Sequence, residues 1–147
     1  MRMRAAIAVP VVVSLALLTT ACSGGGPGSP SVTPTSSGFP GTRPTSTGVL
    51  KIVSPTNGEV VHGSTVDLKI DLKGATIVPI TSTDLKPDQG HIHVILDDQL
   101  VSMTTGTELK IPNVTPGHHL IRVEFVATDH GPFDPRVLAL VSFEVKG

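Results

Sequence analysis

The chain has 147 residues, of which 39% are hydrophobic and 16% are charged, and its formal net charge is −1. This near-neutral balance, without a basic cluster, argues against nucleic acid as a partner. The single cysteine leaves no disulfide to support a fold, so a folded domain here depends on an apolar core.

The first residues have the layout of an export signal. Two arginines open the chain, residues 5–18 are almost entirely apolar, and three small residues at 19–21 lead into Cys22. This order predicts a signal peptide over residues 1–21 that is removed on export. The apolar run is 14 residues long and is interrupted by Pro10, whereas a transmembrane helix needs about 20 residues.

Cys22 follows the predicted cleavage site directly. Residues 18–22, Leu-Thr-Thr-Ala-Cys, resemble the lipobox of bacterial lipoproteins, although Thr19 stands where an aliphatic residue is more usual. The resemblance implies that Cys22 carries a covalent diacylglycerol lipid, with palmitate as an expected acyl group. It also implies an anchor at the outer face of the cytoplasmic membrane. A plain secreted protein would leave this lone cysteine unexplained.

Residues 22–47 are predicted to be the lipidated cysteine followed by a flexible linker. Of the 25 residues from 23 to 47, 22 are Gly, Pro, Ser or Thr. Such a segment buries too little apolar surface to offset the entropy of ordering it. As a flexible coil it would span about 25–30 Å, which holds the following domain away from the membrane.

The remaining residues, 48–147, show strand patterns separated by turn residues. Alternation is clearest at residues 65–72, where Val, Leu and Ile alternate with Thr, Asp and Lys. Two predicted strands are residues 49–53 and 65–72. The third begins at His91 and has Ile92, Val94 and Leu96 on its apolar face. The others are residues 100–103, 107–111, 118–128 and 137–145. Residues 73–89 predict a long connection with at most one edge strand, because Pro79 is incompatible with a central strand.

About seven short strands in about 100 residues predict an all-β Greek-key sandwich of the immunoglobulin-like or fibronectin-like class. The domain has no tryptophan and no cysteine pair. The pattern therefore resembles the broad class and not the antibody domains.

Six histidines are the main hint of chemistry. His91 and His93 are two residues apart on a predicted strand, so both project to one face of the sheet. In an immunoglobulin-like layout this third strand pairs antiparallel with the sixth, which brings His130 close to His91. These three side chains predict a zinc or copper site, completed by a carboxylate or water.

Three segments together resemble a family of small exported bacterial domains of unknown function. They are Gly90-His91-Ile92-His93-Val94, Pro116-Gly117-His118-His119-Leu120 and Asp129-His130. The family combines a Gly-His-x-His strand with a Pro-Gly-x-His turn and an Asp-x-x-His or Asp-His end. The resemblance implies the fold, the exported location and four positions of interest, but no activity. Those positions are His91, His93, His119 and His130.

Two other interpretations of the histidines stay open. In the first, the imidazoles hydrogen-bond to loop backbone and hold the long connections onto the sheet. In that interpretation His119 and Asp129 have structural or accessory roles. His119 shares the core-facing phase of Ile121. In the second, the histidines lie on an exposed face with no special role.

The sequence favours a noncatalytic protein, because it contains no Gly-x-Ser-x-Gly elbow, no free cysteine nucleophile and no phosphate-binding loop before a helix. Two functions of different classes follow. The first is a lipid-anchored binding domain for another envelope protein or a small ligand. The second is a metal-binding lipoprotein or metallochaperone that uses the histidines.

Overall fold

A computed structural model describes residues 42–147 of the chain. The predicted signal peptide, the lipidation site Cys22 and the linker up to residue 41 lie outside the described residues. Within residues 42–147 there is no helix long and apolar enough to cross a membrane.

The described part of the chain forms nine β-strands. In chain order they are β1 (Val49–Ser54), β2 (Val60–His62), β3 (Val66–Lys73), β4 (Thr76–Ile77), β5 (Gln89–Leu96), β6 (Gln99–Thr104), β7 (Glu108–Ile111), β8 (Gly117–Ala127) and β9 (Pro132–Lys146). Each of the seven predicted strands is present, and the predicted all-β class is confirmed.

The strands form two sheets that face each other as a sandwich. The smaller sheet has the order β1-β3-β7. The larger sheet has the order β2-β9-β8-β5-β4, and β6 pairs with β5 on the same side as β4. This is the immunoglobulin-like, fibronectin-like arrangement that the sequence predicted. The strand pairs within it are antiparallel, except for β2 with β9 and β4 with β5.

The core lies between the inner faces of the two sheets. Strand alternation sends every second residue inward, and these residues are Val, Ile, Leu and Phe. Phe125 and Phe133 are both buried, with ring centroids 5.2 Å apart. Other fully enclosed apolar side chains include Val66, Ile92, Val94, Ile121, Val123, Phe143 and Val145. Branched aliphatic residues pack well between the inner faces of two sheets. The larger sheet supplies most of the buried core residues.

Two short strands refine the predicted layout. β2 was not predicted: His62, expected in a turn, is its last residue and pairs in parallel with Lys146 of β9. Three residues are too few to show a strand period. β4, with two residues, is the edge strand in the predicted connection, and it ends before Pro79.

The segment just before β1 is attached to the sandwich, although the sequence placed it in the linker. Thr47 donates its backbone N–H to the carbonyl of Pro87 at 3.0 Å. The hydroxyl of Ser46 donates to the same carbonyl at 2.9 Å, and the hydroxyl of Thr45 donates to the Asp134 carbonyl at 2.8 Å. Contacts with the sandwich therefore extend before Gly48 within the described residues, at least to Thr45.

Candidate functional site

Three histidines lie together at one end of the larger sheet: His91, His93 and His130. We call them the histidine cluster. His91 and His93 are alternate residues of β5 and project from the outer face of the sheet. Because β5 and β8 pair antiparallel, the start of β5 lies beside the end of β8. The turn after β8 thus carries His130 to the two strand histidines, as the sequence predicted.

The imidazole rings of the cluster are in direct contact. The ring centroids of His91 and His130 are 4.4 Å apart, and the two planes differ by 9°. The centroid of His93 is 5.5 Å from that of His130, at 18°. Nε2 of His93 lies 3.3 Å from Nδ1 of His130. In this hydrogen bond one nitrogen donates and the other accepts, so at least one of the two rings is neutral.

Hydrogen bonds connect the cluster to the loops beside it. Nε2 of His91 lies 3.3 Å from the Thr128 carbonyl oxygen, which can only accept, so this nitrogen donates. Nε2 of His130 lies 3.4 Å from Oγ1 of Thr81, in the connection between β4 and β5. Nearby, the hydroxyl of Thr128 donates to the Ser82 carbonyl at 3.0 Å. The hydrogen bond to loop backbone that the loop-holding interpretation requires is present for His91, whereas His130 contacts the side-chain hydroxyl of Thr81.

A tight turn after β8 presents the ring of His130. His130 has a φ of 63°, in the left-handed region that non-glycine residues seldom adopt. Its N–H donates to the Ala127 carbonyl at 2.9 Å, and the Ala127 N–H donates to the Gly131 carbonyl at 2.9 Å. These two backbone bonds close the turn and set the direction in which the histidine leaves it.

Gly90 allows the cluster end of the sheet to close. A Cβ at this position would overlap the carbonyl oxygen of Val126 and would lie 2.9–3.0 Å from the ring of Phe125. Only glycine permits the backbone of β5 to approach β8 this closely. The first residue of the Gly-His-x-His motif is therefore a packing requirement, and the histidines follow it on the strand.

Arg43 fastens the N-terminal segment to the same end. Its Nη1 and Nη2 donate to the two carboxylate oxygens of Asp129 at 2.6 and 2.8 Å, and its Nε donates to the Pro132 carbonyl at 2.7 Å. The guanidinium lies over Gly131, where a Cβ would come within 2.6 Å of Nη2. The hydrogen bonds from Arg43 hold the pKa of Asp129 at about 2. Asp129, one of the carboxylates near the predicted metal site, is therefore engaged by arginine.

The surroundings of His93 favour its neutral form. Burial lowers the pKa of His93, and the neighbouring His130 and His91 lower it as well, against a smaller opposite effect of Glu124. Glu124 is directly opposite His93 on β8, and its side chain is only 4% exposed. Arg136 neutralises this carboxylate by donating from Nε at 2.7 Å and from Nη2 at 2.6 Å.

The cluster differs from the predicted metal set in the direction of its nitrogens. Parallel rings place the nitrogens of His91 and His130 in separate planes, so they do not converge on one point. Among residues 42–147, no group of three or more His, Cys, Asp or Glu side chains is arranged so that it could hold a metal ion. The three histidines are neighbours as predicted, but they are stacked.

His119 occupies the opposite end of the β5–β8 pair, as predicted. Its Nδ1 lies 2.6 Å from a carboxylate oxygen of Asp97, and its Nε2 donates to the Thr115 carbonyl at 2.8 Å. Its ring also contacts Phe143, at a centroid distance of 5.7 Å. Burial lowers its pKa, but the Asp97 hydrogen bond, the Thr115 carbonyl and the Asp97 charge outweigh burial, so the pKa is raised. We call His119, Asp97 and Thr115 the turn site.

An apolar surface on the outer face of the larger sheet was not predicted. Of the large apolar side chains exposed there, we call five the outer patch: Leu100, Met103, Leu120, Leu138 and Leu140. They lie on β6, β8 and β9 of this face, with β5 between β6 and β8. Arg122 and Ile95 lie between Leu140 and Leu100. Glu124 and His93 lie between Leu138 and Met103. Met103 is directly opposite His93, so the patch adjoins the histidine cluster.

A sequence signal for the outer patch was available. Residues 137–141, Val-Leu-Ala-Leu-Val, are apolar in both phases of the strand. A strand with one face in water alternates apolar and polar residues, whereas this one does not. The residues out of phase with the core, Leu138 and Leu140, are 39% and 57% exposed.

Comparisons with known proteins identify the fold. No protein-family model matches the chain, and no curated protein sequence matches it. Among solved structures, the fibronectin(III)-like modules of CbhA from Clostridium thermocellum align with a TM-score of 0.50 and 20% identity, over 67% of this chain and 96% of that one. The PKD domain of human KIAA0319 aligns with a TM-score of 0.41 and 14% identity, over 76% of this chain and 91% of that one. The chain is thus similar in fold to fibronectin(III)-like modules.

Proposed function

We propose that this protein is a lipid-anchored protein of the bacterial cell envelope whose immunoglobulin-like domain is a noncatalytic binding module for another envelope protein. The export signal, Cys22 and the Gly/Pro/Ser/Thr-rich linker support the anchor and the display. The observation that carries the binding role is the outer patch. Grouped, exposed apolar side chains on one face of a soluble domain are typical of interaction sites.

The partner in this proposal is a protein because the surface is a sheet face. Small ligands bind mostly in concave pockets, whereas protein interfaces use broad faces with an apolar centre and a polar rim. The outer patch likewise combines apolar and polar groups, since Glu124, paired with Arg136, and His93 lie between Leu138 and Met103. In this function the histidines hold the loops that border the binding face.

Metabolic labelling with radioactive palmitate, in cells that express the full chain, tests the anchor. We expect label on the wild-type protein and its recovery with membranes, and neither in Cys22→Ser. Equal labelling of the two proteins would contradict the lipid anchor.

The binding role is tested on the same full-length protein in intact cells. A photo-crosslinking residue replaces Leu140 in the outer patch or, as a matched control, Val53 on β1 of the smaller sheet. Both side chains are exposed, at 57% and 47%. We expect a discrete adduct with another polypeptide only from position 140. Adducts of equal yield from both positions, or from neither, would contradict a binding module that uses the outer patch.

A second candidate function is the binding of a zinc or copper ion between His93 and His130. The distance of 3.3 Å between Nε2 of His93 and Nδ1 of His130 favours it. Two nitrogens bound to one tetrahedral metal, each at about 2.0–2.1 Å, lie about 3.3 Å apart. In this function water completes the coordination, because Asp129 is bound to Arg43 and His91 to the Thr128 carbonyl.

Titration of the protein with zinc or copper chloride tests this second function. A free ion at 100 times its dissociation constant should stabilise the fold by about 2.7 kcal/mol. We expect the rise in melting temperature to disappear in His93→Ala and to persist in His118→Ala, which changes an exposed histidine of β8. Binding that is unchanged in His93→Ala would exclude the site.

A further inference from the structure

Arg122 lies in the middle of the outer patch. In the register of the larger sheet it is directly opposite Ile95 of β5 on one side and Leu140 of β9 on the other. Leu120 precedes it by two residues on the same face of β8. This cation thus has apolar side chains on three sides, and Glu124 follows it two residues further along the same face of β8.

The guanidinium of Arg122 is incompletely paired within the described part of the chain. Its Nε is shielded from solvent and has no hydrogen-bond partner among residues 42–147. No carboxylate of these residues forms an ion pair with Arg122. A buried donor without an acceptor destabilises the free protein, unless a partner supplies the acceptor.

Two other arginines of the domain have the carboxylate partner that Arg122 lacks among the described residues. Arg43 and Arg136 each bind a carboxylate with two parallel hydrogen bonds, to Asp129 and Glu124, at 2.6–2.8 Å. Glu124 lies on the same face and strand as Arg122, but both of its oxygens accept hydrogen bonds from Arg136. The planar guanidinium matches a carboxylate in this geometry.

We propose that the outer patch binds a protein segment that places a carboxylate on Arg122 and apolar side chains on the leucines around it. The carboxylate, from an aspartate, a glutamate or a chain terminus, accepts the hydrogen bond from Nε and neutralises the cation as water is excluded. The apolar side chains cover Leu120, Leu138 and Leu140. This inference rests on the proposed binding function and specifies the chemistry of the partner.

Charge favours this occupant over a second copy of the chain. In a symmetric dimer formed through the outer patch, each copy presents the same surface. A two-fold axis through the middle of the patch would bring the two Arg122 guanidiniums together, and like charges facing each other across an interface are unfavourable. A free inorganic anion would neutralise Arg122 but would leave the leucines exposed.

Carbodiimide coupling tests the carboxylate directly. In Arg122→Lys the new amine can be joined by a water-soluble carbodiimide to a carboxyl group in contact with it. We expect mass spectrometry of intact cells expressing the full chain to find an amide between position 122 and an acidic residue or chain terminus of another polypeptide. An amide to a second copy of this chain, or none at position 122 when lysines elsewhere react, would overturn the proposal.

A second readout separates this inference from the binding function itself. With the photo-crosslinking residue at position 140, we expect Arg122→Gln to reduce the adduct yield about tenfold or more and Arg122→Lys to reduce it less. Melting temperatures of the variants confirm that they are folded. Unchanged adduct yield in Arg122→Gln would overturn the carboxylate partner and leave the binding module intact. If the protein with the crosslinking residue at position 140 and an unchanged Arg122 forms no adduct, that result would instead count against the binding module.

Discussion

The histidine cluster and the turn site lie at opposite ends of the same β5–β8 strand pair, and they use the same residue type in opposite ways. At the cluster, burial and two neighbouring imidazoles lower the pKa of His93. At the turn site, burial is outweighed by Asp97 and the Thr115 carbonyl, so the pKa of His119 is raised. The charge state of a histidine is therefore set by the partners that the fold brings to it, and not by its place on a strand.

The two ends also differ in how their loops are attached. The turn site is local in the fold: Asp97 lies in the turn after β5, and its carboxylate also accepts the N–H of Leu120 at 2.9 Å. The cluster end joins segments distant in the chain, because Arg43 reaches Asp129 and His130 reaches Thr81. A change at the cluster end should thus loosen several loops together, whereas a change at the turn site should act on one turn.

The largest expected effect is at the cluster end, in Gly90→Ala. The added methyl overlaps the Val126 carbonyl and presses on Phe125, which forces β5 and β8 apart. We expect a loss of about 3 kcal/mol in the free energy of unfolding, measured by urea denaturation. Gly106→Ala is the control, since its Cβ would meet no atom closer than 3.7 Å and should change stability by less than about 0.5 kcal/mol. Similar values for the two variants would refute the close approach at Gly90.

The next effect is at the turn site, in His119→Ala. The change removes a hydrogen bond to Asp97 and one to the Thr115 carbonyl, and it opens space beside Phe143. We expect a loss of about 2 kcal/mol by the same denaturation measurement. His118→Ala, at the adjacent exposed position, should be nearly neutral. If His118→Ala costs as much as His119→Ala, the hydrogen bonds of the turn site do not stabilise the fold.

A smaller effect is expected for Arg43→Ala, which releases the N-terminal segment from the cluster end. The ion pair with Asp129 is partly shielded, and its loss should lower stability by about 1 kcal/mol. The pKa of Asp129 is about 2 in the folded protein, against 3.8 for an unperturbed aspartate, so its stabilisation is lost as the pH falls from about 4 to 2. Acid denaturation curves should show this loss in the wild type and less of it in Arg43→Ala. Superimposable curves would show that the ion pair does not stabilise the fold.

The smallest expected effect is the change of stability with pH. It should have opposite signs at the histidine cluster and at the turn site. Because the pKa of His93 is lowered from 6.5, the unfolded chain takes up this proton first, and stability falls as the pH falls below 6.5. Because the pKa of His119 is raised above 6.5, its stabilisation is complete below pH 6.5 and is lost as the pH rises through the folded pKa. Melting temperatures from pH 5 to 8 measure both trends.

Two variants separate these trends. His93→Gln should remove the loss of stability at acid pH and keep the loss that occurs as the pH rises. His119→Gln should remove the loss that occurs as the pH rises and keep the loss at acid pH. A pH profile that is the same in both variants and the wild type would show that neither histidine controls stability in this range.

Much of the fold was predictable because its causes are local. The alternation at residues 65–72 predicts β3, and the paired phases of His91 and His93 predict their common face. The antiparallel pairing of β5 and β8, the third and sixth of the predicted strands, then brings His130 to the cluster. β2 was missed, because three residues carry no period and its pairing with β9 depends on where the chain changes sheets.

The candidate sites were less predictable than the fold. Ligand spacing suggested a three-histidine metal set, but spacing along the chain does not determine whether rings stack or converge. The role of Arg43 was hidden in a segment whose composition is typical of linkers, since one ion pair to Asp129 does not show in composition. Arg122 was passed over because an arginine in a strand usually faces water.

The sequence by itself determined the all-β sandwich, the inward face of each main strand and the meeting of the three histidines, because strand period and antiparallel order follow from local residue pattern. Only the tertiary structure decided which nitrogens face which acceptors, which arginines find carboxylates and which apolar residues stay exposed. Those outcomes depend on contacts between segments as far apart as Arg43 and Asp129, and such contacts form only when the two sheets close on each other.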